Sequence, residues 1–231
     1  GYMFAGKNVY RIDFNNGFET RLDARIPEKN KEYSFVVPLN GELYFGAATD
    51  GWTDSRNFFK YNPVTRTFSD LPDLPARMGV PRKIYEVDGK FIFEAGYFSL
   101  NDTDRGYSKE RHQYNPVSKT WNKIDEQSSD NPFIINGLVF EHQGEIYSLA
   151  LNYDESRVFI ERLNKNELRW EYVFDTFYTD MKYSTIYRLN GQILVKDSNG
   201  LKSINFENKS FDDYPINISH PLFSRFINGL T

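Results

Sequence analysis

One pattern recurs four times along the chain, and no other feature narrows the fold as much. A few β-forming residues lead into a tight turn centred on glycine, and more β-formers follow. The copies are Val36–Phe45 (VVPLNGELYF), Ile84–Phe93 (IYEVDGKFIF), Leu138–Tyr147 (LVFEHQGEIY) and Thr185–Leu194 (TIYRLNGQIL). Asn-Gly and Asp-Gly supply the positive φ angles of a type I′ turn, whose twist matches that of the flanking strands. Each copy is therefore expected to be a β-hairpin.

A second pattern follows each hairpin. It reads Tyr61–Phe68 (YNPVTRTF) and Tyr114–Trp121 (YNPVSKTW), with weaker copies at Leu163–Trp170 and Ile204–Phe211. In all four, an apolar residue and a Phe or Trp lie seven positions apart across a polar turn. Pro after Asn pre-sets that turn, and Thr or Ser can bond back to the backbone. Two hairpins in a unit of about 40–55 residues make four antiparallel strands, the size of a propeller blade. One such sheet cannot cover both of its own faces, so blades stacked around an axis stabilise one another. The expected fold class is all-β, a β-propeller of four-stranded antiparallel blades.

Composition agrees. Aromatic residues make up 17% of the 231, including 20 Phe and 16 Tyr, and aromatics favour half-buried pleated surfaces. There is no cysteine, which removes disulfides, zinc knuckles and thiol nucleophiles. The net charge of −4 is interspersed, with no Lys/Arg block to track phosphates, which argues against nucleic acid. No apolar run approaches the ~18–20 residues of a membrane helix.

The stretch from Tyr61 to Phe98 resembles a Kelch repeat junction. It has the Tyr-x-Pro-x-Thr turn, the spaced aromatic, a Leu-Pro and Arg segment, and then the glycine hairpin. The family's double glycine is reduced here to Gly46 and Gly96 and is missing from the later units. Units are expected at 33–75, 83–126, 136–175 and 184–215. A fifth would combine 2–27 with 222–229, so that the two chain ends close one blade and hide its edges. The alternative is a fragment of a six- or seven-blade protein.

With strands a to d numbered from the axis outward, the b–c loops and d–a connections share one face. They are longer than the tight a–b and c–d turns, and function sits where a rigid scaffold presents long loops. The candidate partner-binding residues there are Trp52, Arg56, Arg82, Tyr97, Tyr107, Arg111 and Tyr153, because aromatics and Arg dominate interface hot spots. Trp121 and Trp170 lie on repeat positions and are expected in the core.

Catalytic signals are weak. His112, His142 and His220 are scattered without metal-ligand spacing, and no Gly-x-Ser-x-Gly elbow occurs. Asn101-Asp102-Thr103-Asp104 lacks the rest of a calcium loop. Neither a cofactor nor a metal is expected. The Kelch resemblance implies a non-enzymatic module binding a partner protein or peptide, with Arg56, Arg82 and Arg111 facing acidic groups. The alternative is a carbohydrate-binding or carbohydrate-processing propeller, isomerase- or hydrolase-like, with Asp50, Asp54 and Glu94 near the channel mouth. A glycan is then the ligand.

Overall fold

The computed structural model describes residues 2–5, 8–13, 19–25, 32–49, 55–76, 78–101, 103–126, 134–152, 157–177, 185–189, 192–197 and 200–214. Among these the regular elements are all β-strands. The chain opens with β1 (Tyr2–Ala5), β2 (Asn8–Asp13) and β3 (Glu19–Arg25), a three-stranded antiparallel sheet. The second unit is β4 (Glu32–Leu39), β5 (Glu42–Thr49), β6 (Phe58–Asn62) and β7 (Thr67–Asp70), paired in chain order. The third begins with β8 (Lys83–Val87) and β9 (Lys90–Glu94). A small hairpin of β10 (Tyr97–Ser99) and β11 (Arg105–Tyr107) intervenes before β12 (Glu110–Asn115) and β13 (Thr120–Glu126) complete the blade. The fourth unit is β14 (Ile134–His142), β15 (Glu145–Asn152), β16 (Arg157–Asn164) and β17 (Arg169–Phe177). The fifth is β18 (Thr185–Leu189), β19 (Gln192–Asp197), β20 (Gly200–Asn205) and β21 (Ser210–Asp213). These four complete sheets form a ring of β-propeller blades, with the inner strand β14 beside both β8 and β18. The closing segment 222–229 lies outside the described residues, as does the turn at Asn190.

Local chemistry sets each hairpin. The inner turns carry paired positive φ angles at Asn40 and Gly41 (50° and 78°), Asp88 and Gly89 (51° and 73°), and Gln143 and Gly144 (52° and 80°). Gln143 therefore takes the left-handed position that Asn or Asp fills elsewhere. In the outer turns one asparagine organises all four copies. The Oδ1 atoms of Asn62, Asn115, Asn164 and Asn205 each accept hydrogen bonds from the backbone N–H groups two and three residues on. Each turn then leaves through a left-handed residue: Arg66, Lys119, Leu168 or Lys209, with φ of 50–58°.

The spaced pair of the second motif meets across the outer strands. Tyr61 lies opposite Phe68, Tyr114 opposite Trp121, Leu163 opposite Trp170, and Ile204 opposite Phe211. Each pair packs back on the preceding unit. Tyr114 and Trp121 reach Phe58 at 4.9 and 5.3 Å between ring centroids. Trp170 meets Tyr85 at 5.1 Å, and Tyr61 and Phe68 cluster with Val9. Ile204 and Phe211 join Phe140, Val158 and Phe174. Polar contacts cross the same seams: the Tyr61 hydroxyl donates to Asp23, and Trp121 Nε1 donates to Pro72 O at 3.1 Å.

His112 is a polar exception. It is buried, its Nδ1 has no hydrogen-bond partner among the described residues, and Glu110 lies 3.7 Å from Nε2. Burial holds its pKa below the ordinary 6.5, against an opposing pull from Glu110.

Two predictions follow from this packing. The left-handed Lys119 is strained and exposed, so Lys119→Gly should raise stability by about 0.5–1 kcal/mol, and Lys119→Val should lower it by at least as much. Denaturant titration of both variants checks this; a neutral valine would refute it. His112 takes up a proton more readily unfolded than folded, so its contribution is fully present above pH 6.5 and is lost as pH falls towards the lower folded value. Melting temperature against pH should therefore fall less on acidification in His112→Gln than in the parent; parallel curves would contradict the assignment.

Candidate functional site

The b–c segment of the third unit is more than a long loop. It folds into the β10–β11 hairpin. At the tip, Asn101 Oδ1 accepts from the backbone N–H groups of Thr103 (2.9 Å) and Asp104 (2.8 Å) and from the Thr103 hydroxyl (2.8 Å). Across the strands, Tyr97 pairs with Tyr107, Phe98 with Gly106 and Ser99 with Arg105. Side chains alternate between faces, so Tyr97, Ser99, Arg105 and Tyr107 share one face and Phe98 takes the other. Phe98 is buried, whereas Tyr97 and Tyr107 are 42% and 55% exposed. The two tyrosine rings meet edge to face, 5.4 Å apart.

The d–a connection before β8 braces this hairpin. Val80 N donates to Tyr97 O at 2.9 Å, and Arg82 N donates to Glu94 O at 2.8 Å. Gly79 has φ +53°, and a Cβ there would stand 2.1 Å from Tyr97 O, so only glycine permits the approach. Gly96 is equally constrained, because its Cβ would meet Val80 O at 2.3 Å. Arg82 Nε donates to Ala95 O at 3.1 Å; burial lowers its pKa, while Glu94 and Tyr107 oppose that shift. Arg56 is exposed and donates from Nε to Leu74 O at 2.6 Å, which fastens the second unit to the same connection.

Beneath the loops runs a buried polar seam between the third and fourth units. Glu94, 1% exposed, accepts from the Tyr85 hydroxyl at 3.1 Å and from Trp170 Nε1 at 2.7 Å. Lys83 Nζ bonds Glu161 at 2.5 Å and stands 4.2 Å above the Trp170 ring. Burial, then Glu94, raises the Tyr85 pKa far above its ordinary value.

Of the seven residues singled out from sequence, Arg82, Tyr97 and Tyr107 gather on one braced cluster, and Arg56 is tied to it through Leu74. Trp52 and Tyr153 lie outside the described residues, as do Asp50 and Asp54. Arg111 needs correction as a surface residue. It begins β12, is 7% exposed, and donates to both carboxylate oxygens of Asp125 and to Leu168 O in the next unit. The Asp125 hydrogen bonds raise its pKa further. Glu94 likewise belongs to the seam rather than to an open channel mouth. His142 stacks on Phe206, with ring centroids 4.6 Å apart. Among the described residues no three His, Asp or Glu side chains could hold a metal ion. Gly79 and Gly96 matter to the cluster and were missed, because their constraint comes from chain segments that sequence spacing does not relate.

No protein-family model matches the chain, and no curated protein matches it in sequence. Solved structures do match it in three dimensions. One is the structure of YjhT, a propeller, with a TM-score of 0.62 at 15% identity over 84% of this chain and 67% of that one. At that identity the likeness shows the fold alone: this chain is a β-propeller.

Proposed function

We propose that this propeller is a non-enzymatic interaction module that engages a partner protein or peptide through its b–c and d–a loop face. The observation that carries this is the Tyr97–Tyr107 pair. Two large aromatic side chains stand exposed on a hairpin whose opposite face is anchored by buried Phe98 and whose backbone is braced at Val80 and Arg82. Rigid aromatics of this kind bind with little loss of conformational entropy, and they head the residue types found at interface hot spots. Arg82 lies beside Tyr107, and Arg56 is tied to the same d–a connection through Leu74 O. Arg111 does not belong to the surface, since its guanidinium is committed to Asp125 and Leu168.

Two finer points of architecture belong to the same reading. The repeats are degenerate Kelch repeats; the four Asn-organised outer turns and the aromatic seven residues apart support this. The ring has five blades, the first closed by segment 222–229. In support, β2 and β3 carry a register shift at Val9/Tyr10, as the outer strands of units three and four do at Arg111/His112 and Ile160/Glu161. On this reading the first sheet holds strands b, c and d, and its strand a comes from segment 222–229.

A partner captured from the native source should bind the Tyr97→Ala/Tyr107→Ala variant about ten- to a hundred-fold more weakly, because each hot-spot truncation costs over about 1 kcal/mol. The melting temperature should hardly move, since both rings are solvent-facing. Surface plasmon resonance beside a thermal melt measures both. Undiminished binding by a folded double variant would place the interface elsewhere.

A further inference from the structure

The hairpin face is charged as well as aromatic. Arg105 stands on it, across from Ser99 and beside Tyr107, and is exposed. No ion pair engages it among the described residues. Arginines on the outer hairpins behave differently: Arg66, Arg162 and Arg169 are each matched by a carboxylate, at 3.3, 3.1 and 3.7 Å. Arg56, on the same loop face as Arg105, spends its Nε on a carbonyl and also meets no carboxylate among the described residues. Arg82 sits close enough to Tyr107 for the two to interact electrostatically. Two cations, Arg105 and Arg82, thus stand beside the exposed tyrosines of a chain whose net charge is −4.

A guanidinium left in water beside aromatic rings is stable but unspent. Its five N–H donors form a fork that fits a carboxylate bidentately, and pairing strengthens as an incoming ligand excludes water. Resting on the interaction reading above, we infer that this face takes an acidic peptide segment of a partner protein, with Arg105 as the residue that selects for the carboxylate. The Tyr97–Tyr107 pair then packs an apolar side chain of the same segment, and Arg82 and Arg56 favour further acidic residues alongside.

The test uses the whole chain and short fluorescein-labelled peptides with a fixed Leu/Phe frame, in which Glu or Lys content is raised stepwise. A labelled oligogalacturonate serves as the acidic glycan control. Fluorescence anisotropy should show affinity rising at least about ten-fold from the Glu-free to the Glu-rich peptide, with the gain shrinking as salt is raised. Arg105→Glu should erase the Glu preference, and Arg105→Lys should keep only part of it. Arg105 is exposed, so neither variant should change the thermal melt. If Glu-rich and Lys-rich peptides bind alike, or if Arg105→Glu keeps the preference, the acidic-ligand inference fails. The interaction face itself then stands, provided that Tyr97→Ala/Tyr107→Ala still weakens peptide binding at least about ten-fold. If no peptide binds, or if only the oligogalacturonate does, both readings fall together.

Discussion

A four-stranded sheet cannot keep both of its faces dry, and here one outer-strand aromatic per unit closes the gap to the unit before it. Phe68, Trp121, Trp170 and Phe211 each stand opposite an apolar partner on the adjoining strand, and each pair leans on the previous blade. A ring the size of Trp or Tyr buries some 150–250 Å², so truncating one in a core typically costs about 3–5 kcal/mol. Repeating that contact along the ring makes each blade a condition for the stability of the next. The strand pairing inside a blade is local, whereas these wedges join segments of successive units, such as Phe58 with Trp121 and Tyr85 with Trp170, and hold the sheets in a ring.

The candidate site depends on the same device. Trp170 wedges the third and fourth units and also donates to Glu94, whose backbone carbonyl receives the N–H of Arg82. The loop cluster is therefore fastened downward through Glu94 and sideways through Gly79, Val80 and Gly96. Burying Lys83, Glu94 and Arg111 costs desolvation, which is offset only while each keeps its own partners: Glu161 for Lys83, Tyr85 and Trp170 for Glu94, Asp125 and Leu168 O for Arg111. Losing one partner would leave a charge stranded in the seam, so this interface is specified by polar geometry in addition to its packed rings. Both seams use a ring contact, Trp121 on Phe58 and Trp170 on Tyr85, and the second adds buried charged groups at Glu94 and Lys83.

Much of this architecture was legible in the residues, and the reason is local. The Asn40-Gly41 and Asp88-Gly89 turns announce themselves because few residues accept positive φ, and the seven-residue spacing announces a strand pair because Tyr114 and Trp121 must face each other. The outer-turn asparagine was equally available: all four copies carry it one place after the apolar residue, and its carboxamide organises the turn without help from proline. The site was less legible. Tyr97 and Tyr107 were found because loop aromatics are informative, but nothing in sequence distinguishes Arg105, which is exposed, from Arg111, six residues on and buried against Asp125. That difference is fixed by strand register and by a neighbouring blade. Gly79 was missed and Glu94 misplaced for the same reason, since their partners at Tyr97 and Trp170 come from other segments of the fold.

A double-mutant cycle across one seam tests the wedge directly. Phe58→Leu, Trp121→Leu and the double variant would be compared with the parent by urea denaturation. Phe58 and Trp121 belong to different units and meet at 5.3 Å, so the account predicts a coupling energy of about 0.5–1.5 kcal/mol. Strictly additive losses would mean that the two rings stabilise their own blades independently, and the ring would need another explanation for its cohesion.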